Sequence, residues 1–370
     1  MTEPKPAVAG GLLVPYQLLA TSGARAVLPV TVDGALHLAV PQMALDLPGQ
    51  PAHMNGGDSD TDLLLFRWRD GRFEEDGRLP LPGGEDVLAF AIGEDRFLAT
   101  AGIRTGRGPY DLNTQAVIYR RAGGAWEPFQ SIPAFAAKQW HHFAVDGRHF
   151  LALAQGVTLD GIAARHPRRS GILEWDGARF VEFQTLEGGW GYNWEFFELE
   201  GQRFLAYADH TSPSRLYRWA DGAFAPFQDF AHQCGRAFRF FEADGGAWLA
   251  FANIAGDSVL HRWDGRRFEP HHSLGGPGGR EFELIRTGSG LHLVRICFIQ
   301  GSPAAPKTDL MSQIHRWDGD GFVLAGEFPT FGGTDAAAFE ADGQRFLAVS
   351  NSLTPDIRFR QDTVIYRLAL

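Results

Sequence analysis

The sequence is short of several things that would narrow its role. It has two cysteines, Cys234 and Cys297, too few for a disulfide framework, and neither stands in a zinc-ligand pair. Lysine occurs only as Lys5, Lys138 and Lys307, so the basic residues are nearly all arginine. That bias reads as genome composition before function. Positive charge is in deficit overall: the formal charge is −10, which argues against a nucleic-acid backbone as the main partner. No apolar run approaches membrane-spanning length, and "MTEPKPAVAGG" has no apolar core of signal-peptide length. These absences lead to the expectation of a soluble, cytoplasmic protein with neither a membrane nor a nucleic acid as partner.

What is present is a repeat. "RWRDGRFEE" at Arg67, "EWDGARFVEFQ" at Glu174, "RWADGAFAPFQ" at Arg218, "RWDGRRFEP" at Arg262 and "RWDGDGFVL" at Arg316 spell one turn again and again. Aligned on that turn, the equivalent residues are Trp68, Arg121, Trp175, Trp219, Trp263, Trp317 and Leu368. Their spacings are 53, 54, 44, 44, 54 and 51 residues, a period of propeller blades if each unit is made of strands. Each unit reads that way. In "KQWHHFAVDGRHFLALAQG" an apolar run ends in Asp-Gly, a tight-turn signal, and a second apolar run follows. After a loop comes "SGILEWDGARFVEFQ", a second hairpin, giving four strands per unit. The second strand recurs seven times, as "HLAV", "FLATA", "FLALA", "FLAYA", "WLAFA", "HLVRI" and "FLAVS". The chain ends on a third strand, "TVIYRLAL". "PYQLLATSGA", from Pro15, matches the outer strands "PFQSIPAFAA" and "PFQDF". The predicted fold is therefore all-β: a seven-bladed propeller of four-stranded blades, closed by an N-terminal outer strand so that no sheet edge is left open. Residues 1–11 are expected to be a tail and residues 12–370 a single domain.

The pattern F-x-x-x-Q, an inner strand, F-L-x-x-A-[ND] and then S-x-x-Y-R-W resembles the epilepsy-associated repeat, or EPTP repeat, of the leucine-rich glioma-inactivated proteins. "FANIAGDSVLHRWDGRRF" carries the likeness best. The resemblance implies a seven-bladed propeller and partner binding. It also implies calcium held by inner-strand aspartates near the channel, positions that Asp86 and Asp335 match. Glu281, Gln139 and main-chain carbonyls would complete the oxygen ligands that such a cation needs.

In a propeller the innermost strands line a channel. Indexed to Val30, Phe90, Phe143, Phe197, Phe241, Ile285 and Phe339, the residues four and two positions earlier lie on one side of each strand. They read Ala26 and Leu28, Asp86 and Leu88, Gln139 and His141, Asn193 and Glu195, Ala237 and Arg239, Glu281 and Glu283, Asp335 and Ala337. One side is thus expected to turn polar towards the channel mouth, with carboxylates outnumbering Arg239 and His141. Crowded carboxylates there suit cation binding or acid–base work; the alternative is a solvated mouth with structural ion pairs. The loops after the second strands are long at Gln42 to Thr61, Gly102 to Thr114, Gln155 to Arg169, Cys297 to Met311 and Asn351 to Gln361, and function tends to sit on such loops.

Two functional expectations follow. The first is a binding scaffold that takes a protein or small molecule at the variable-loop face and channel mouth. Trp140, Trp190, Tyr192, Trp194, Gln139 and Asn193 would contact the ligand, and no cofactor is required beyond a structural calcium at Asp86, Asp335 and Glu281. The second is a cofactor-free isomerase, cyclase, lyase or hydrolase acting on a small apolar molecule, with His141, Glu195, Arg239 and Glu283 as acid, base or electrostatic stabilisers. Other features point less far. "GGDSDTD" spaces Asp58, Asp60 and Asp62 like the start of a calcium loop but lacks its glycine and terminal glutamate. "RHPRRS" from Arg165 reads as a phosphate contact or a solvated loop. Cys234 reads as a nucleophile or an inert thiol. Adjacent His141 and His142 point to opposite sides of a strand, with His142 expected to be packed.

Overall fold

The computed structural model describes residues 11–157, 169–230 and 233–370. Residues 1–10 of the predicted tail and most of "RHPRRS" lie outside the described residues. Among those described, every regular element is a strand, and seven antiparallel four-stranded blades form a ring. Blade 4 shows the plan: inner strand Gly191–Leu199, then Gln202–Asp209, Ser214–Ala220 and the outer strand Ala223–Phe230. Blades 1, 2, 3, 5 and 6 begin at Leu28, Gly84, Ala137, Gly235 and Gly279, and blade 6 carries an extra hairpin, Gln300–Ser302 with Ala305–Lys307, in its long loop. Blade 7 takes Gly333–Ala341, Gln344–Asn351 and Thr363–Leu368 from the C-terminus. Its outer strand is Leu13–Leu19, paired from Leu13↔Leu368 to Leu19↔Thr363. The ring is closed as the sequence predicts.

The repeated turn has two forms. At Asp70–Gly71 and Asp221–Gly222 both residues are left-handed (φ 47° and 80°, 51° and 81°), the two-residue hairpin turn that matches strand twist. In blades 3, 5 and 6 the turn is two residues longer. There Asp176, Asp264 and Asp318 use Oδ1 to accept backbone N–H groups two and three residues on, at 2.7–3.1 Å.

The rest of the motif joins blade to blade. Trp219 of blade 4 packs on Phe150 and Phe183 of blade 3 (ring centroids 5.7 and 5.9 Å), and Trp263 of blade 5 meets Phe204 and Phe227 of blade 4 in the same way. A glutamine of the outer strand completes the joint. Gln184 Nε2 donates to Phe224 O (2.8 Å) while Oε1 accepts from Phe224 N (2.9 Å). Gln17 with Phe73, Gln130 with Phe180 and Gln228 with Phe268 repeat the two-way clamp. At the loop face, backbone bonds zigzag from blade to blade: His210 N to Trp190 O, Cys234 N to His210 O, Ile254 N to Cys234 O, Gly278 N to Ile254 O and Phe298 N to Gly278 O. The channel rim is therefore built on a stitched frame.

Candidate functional site

The polar columns expected on the inner strands are there, but much of their bonding capacity is spent sideways. Asp86 accepts from Trp140 N (2.8 Å), Gln139 from Trp194 N (2.7 Å), Asn193 from Phe238 N (2.9 Å) and Asp335 from Val27 N (2.9 Å). Two residues further along, His141 Nε2 accepts from Phe196 N (3.1 Å), Glu195 from Phe240 N (3.0 Å) and Glu283 from Ala338 N (2.9 Å). Each bond runs from one blade to the next, replacing the pairing that inner edges lack. Arg239 donates to Phe282 O (3.0 Å) and lies 3.9 Å from Glu195.

Burial sets the protonation of this layer. It pushes Asp86 up to about 7, with Asp335 adding to the effect, and Glu281 up to about 8, again helped by Asp335. Asp335 rises to about 6 through burial and Glu283. His141 is held down at about 3 by burial and by Arg239, so it is neutral at physiological pH. A neutral histidine with Nε2 already accepting is poorly placed as an acid or base. The proposed calcium ligands do not form a closed set either. Among the described residues no three His, Cys, Asp or Glu side chains gather closely enough to hold a metal ion, and both oxygens of Asp335 accept backbone N–H groups.

Two of the expected ligand contacts belong to the core. Trp140 and Trp194 are buried, Trp140 donating to Thr100 O (3.0 Å) and Trp194 packing on Tyr207. Trp190 and Tyr192 do reach the mouth. His142 is packed as expected, stacked on Phe90 and beside His149. Asp58 pairs with Arg107 (2.9 Å) and Asp60 accepts from Gly106 N (2.8 Å), so the "GGDSDTD" loop is tied to its neighbour through these two aspartates.

Strand alternation misses the residues that dominate the mouth. Six inner strands carry a one-residue bulge at their start, and the extra residues are Glu85, Lys138, Tyr192, Arg236, Arg280 and Thr334. A bulge breaks the two-residue period and re-aims a side chain. Arg25 occupies the equivalent place in blade 1, its N–H bonded to Pro41 O (3.1 Å). The residue before the bulge is small because space demands it. A Cβ on Gly235 or Gly279 would run into the Ser214 or Ser258 hydroxyl. A column of charge directly after a recurring small residue was the available signal.

These residues reverse the expected charge of the rim. Glu85 is shared by Arg25 (3.5 Å), Lys138 (3.5 Å) and Arg280 (3.8 Å). Burial acts to raise its pKa, but the three cations together hold it below the ordinary carboxylate value. Arg236, Arg280 and Lys138 surround the Tyr192 ring at 4.0, 4.8 and 5.2 Å. Burial raises the Tyr192 phenol, yet these cations bring it below its ordinary value. Burial lowers Lys138, Arg25 and Arg236. The ring floors a cavity of about 1200 Å³, walled by loops of the variable face.

The EPTP domain family matches residues 127–176, 179–220, 223–264 and 321–368. The chain is an EPTP-repeat β-propeller. Each EPTP match begins near an outer strand and ends near the third strand of the following blade, so the sequence unit straddles the joints described above. The human thrombospondin-type laminin G domain and EAR repeat-containing protein is 30% identical over 149 residues, which is 39% of this chain and 21% of that protein. The mouse protein of the same description is 27% identical over 173 residues, 44% of this chain and 24% of its own length. The matched segments thus span a quarter or less of these relatives. The crystal structure of BBS1N in complex with ARL6DN superposes with a TM-score of 0.60 over 96% of this chain and 97% of that one, at 12% identity, a likeness of fold alone.

Proposed function

We propose that this EPTP propeller is a binding scaffold whose ligand, a protein segment or a small molecule, enters the mouth cavity on the variable-loop face. The cavity itself carries the reading: a space of about 1200 Å³ with a polar floor and apolar walls on a stitched frame. The laminin G and EAR repeat-containing relatives carry the same repeat within much longer chains, which suits a module for association. The side chains a catalytic alternative would use, His141, Glu195 and Glu283, each hold a neighbouring strand, which favours binding over turnover.

Ala255, on a short loop lining the cavity, provides the test. Peptides and small molecules selected for binding to the wild-type chain are measured against Ala255→Trp, with thermal melting as the control for folding. Loss of most binders supports the mouth cavity. Binders indifferent to the tryptophan, or chemically converted on incubation, would count against it.

A further inference from the structure

The floor of the mouth cavity holds more positive charge than its own carboxylate balances. Arg25, Lys138 and Arg236 are buried and Arg280 nearly so, and among the described residues Glu85 is the carboxylate ion-paired with this group. Arg236 has no carboxylate partner there; its guanidinium meets His210 Nδ1 (2.8 Å) and Gly235 O (3.0 Å) and lies over Tyr192. In the next layer down Asp86 is partly and Glu281 largely protonated near neutral pH, while Asp335, raised only to about 6 and so mostly ionised, spends its two oxygens on Val27 N and Ala336 N and not on these cations. Asp111 contributes its charge only from the exposed outer rim. Buried like charges in excess are costly unless an opposite charge joins them.

The space above the floor is of another kind. Met43, Ile103, Val157, Ile254 and Phe298 wall it, the buried Arg104 there is spent on Ser59 Oγ, Asn55 O and Gly56 O, and the buried Trp190 Nε1 is a donor with no acceptor among the described residues. A single inorganic ion would leave most of the volume empty. Guanidinium groups suit carboxylate and phosphate oxygens by geometry as well as charge.

We propose that the mouth cavity binds an oxyanion with an apolar body, a carboxylate or phosphate group seated on Arg236, Arg280, Lys138 and Arg25 and a hydrocarbon or ring portion held by the loop walls. The proposal rests on the cavity being the binding site. Octanoate and octyl phosphate, with 1-octanol as the uncharged match, are titrated calorimetrically into wild type, Arg236→Gln, Glu85→Gln and Ala255→Trp, each checked by thermal melting. The expected result is binding of at least one anion, with octanol tenfold or more weaker. Arg236→Gln should weaken the anion about tenfold, the effect of one lost charge-assisted bond, and leave octanol unchanged. Glu85→Gln should tighten the anion. If that variant does not fold, added potassium chloride serves instead and should weaken the anion but not octanol. The ratio of the two anions tells a carboxylate site from a phosphate site. Equal binding of anions and octanol, an unchanged Arg236→Gln, or no anion binding at millimolar concentration overturns the proposal. Octanol binding that is lost in Ala255→Trp but shows no preference for charge overturns it while sparing the cavity. Binding indifferent to Ala255→Trp overturns both.

Discussion

Replacing Glu281 by Gln should flatten the pH dependence of stability, and the sign follows from where the carboxylate lies. Burial and the neighbouring Asp335 lift Glu281 from the ordinary 4.5 to about 8, with Arg239 and Arg280 only partly offsetting them. The folded chain therefore holds this proton more tightly than the unfolded chain. Such a group contributes stability that is fully present below pH 4.5 and lost as pH rises towards 8. Between 4.5 and 7 the loss is about 1.36 kcal/mol per pH unit, or about 3 kcal/mol in all. Glu281 is only half-buried, and solvent screening trims this to about 2 kcal/mol. Glutamine is close in shape, and its carbonyl can still accept from Phe282 N, the bond Glu281 makes at 3.1 Å. The variant should match wild type near pH 4 and exceed it at pH 7. For a chain of 370 residues, with an unfolding entropy of about 2 cal/mol/K per residue, 2 kcal/mol corresponds to roughly 3 °C in Tm. Melting both proteins by circular dichroism every half unit from pH 4 to pH 8.5 gives the comparison. Curves that stay parallel throughout would mean that Glu281 titrates as it does in water, and the reasoning about a buried carboxylate layer would fail.

Three further outcomes are expected. Gln184→Ala strands the N–H and C=O of buried Phe224 and should cost about 2–4 kcal/mol in urea unfolding, whereas Gln184→Glu, which keeps the acceptor, should cost less; equal losses would deny the two-way clamp. His141 should show no titration of its ring-proton NMR shift between pH 4.5 and 8, since burial holds it at about 3, and a midpoint near 6.5 would refute the assignment. Deleting residues 1–19 uncovers the edge of Thr363–Leu368 and the surface that Leu13 and Leu19 bury, and should give aggregates or domain-swapped oligomers in size-exclusion chromatography; a stable monomer would show that ring closure is dispensable.

The fold was legible because its signals are local and repeated. Asp70–Gly71 marks a turn whatever surrounds it, and Gln184 stands at the same distance after its turn as Gln130 and Gln228 after theirs, so seven weak signals sum to one strong one. The polar layer was legible in position but not in role. Asp86, Asn193 and Glu195 fall on the side that alternation assigns, yet nothing local says that each acceptor will meet an N–H some 45 to 54 residues away on the next blade. The cationic ring was not legible by alternation at all. A single extra residue at Lys138, Arg236 and Arg280 inverts the count of two on which the reading depends, and the close approach of Ser214 to Gly235 and of Ser258 to Gly279 beside two of these bulges is tertiary packing that no local pattern announces. The same irregularity recurs in six blades, so the device that hides these residues from periodicity is also the one that brings them to one rim. A ring of bulges lets neighbouring strands keep their hydrogen bonds while each offers one side chain out of sequence. That is how a scaffold bonded almost throughout can still present unbalanced charge at its mouth.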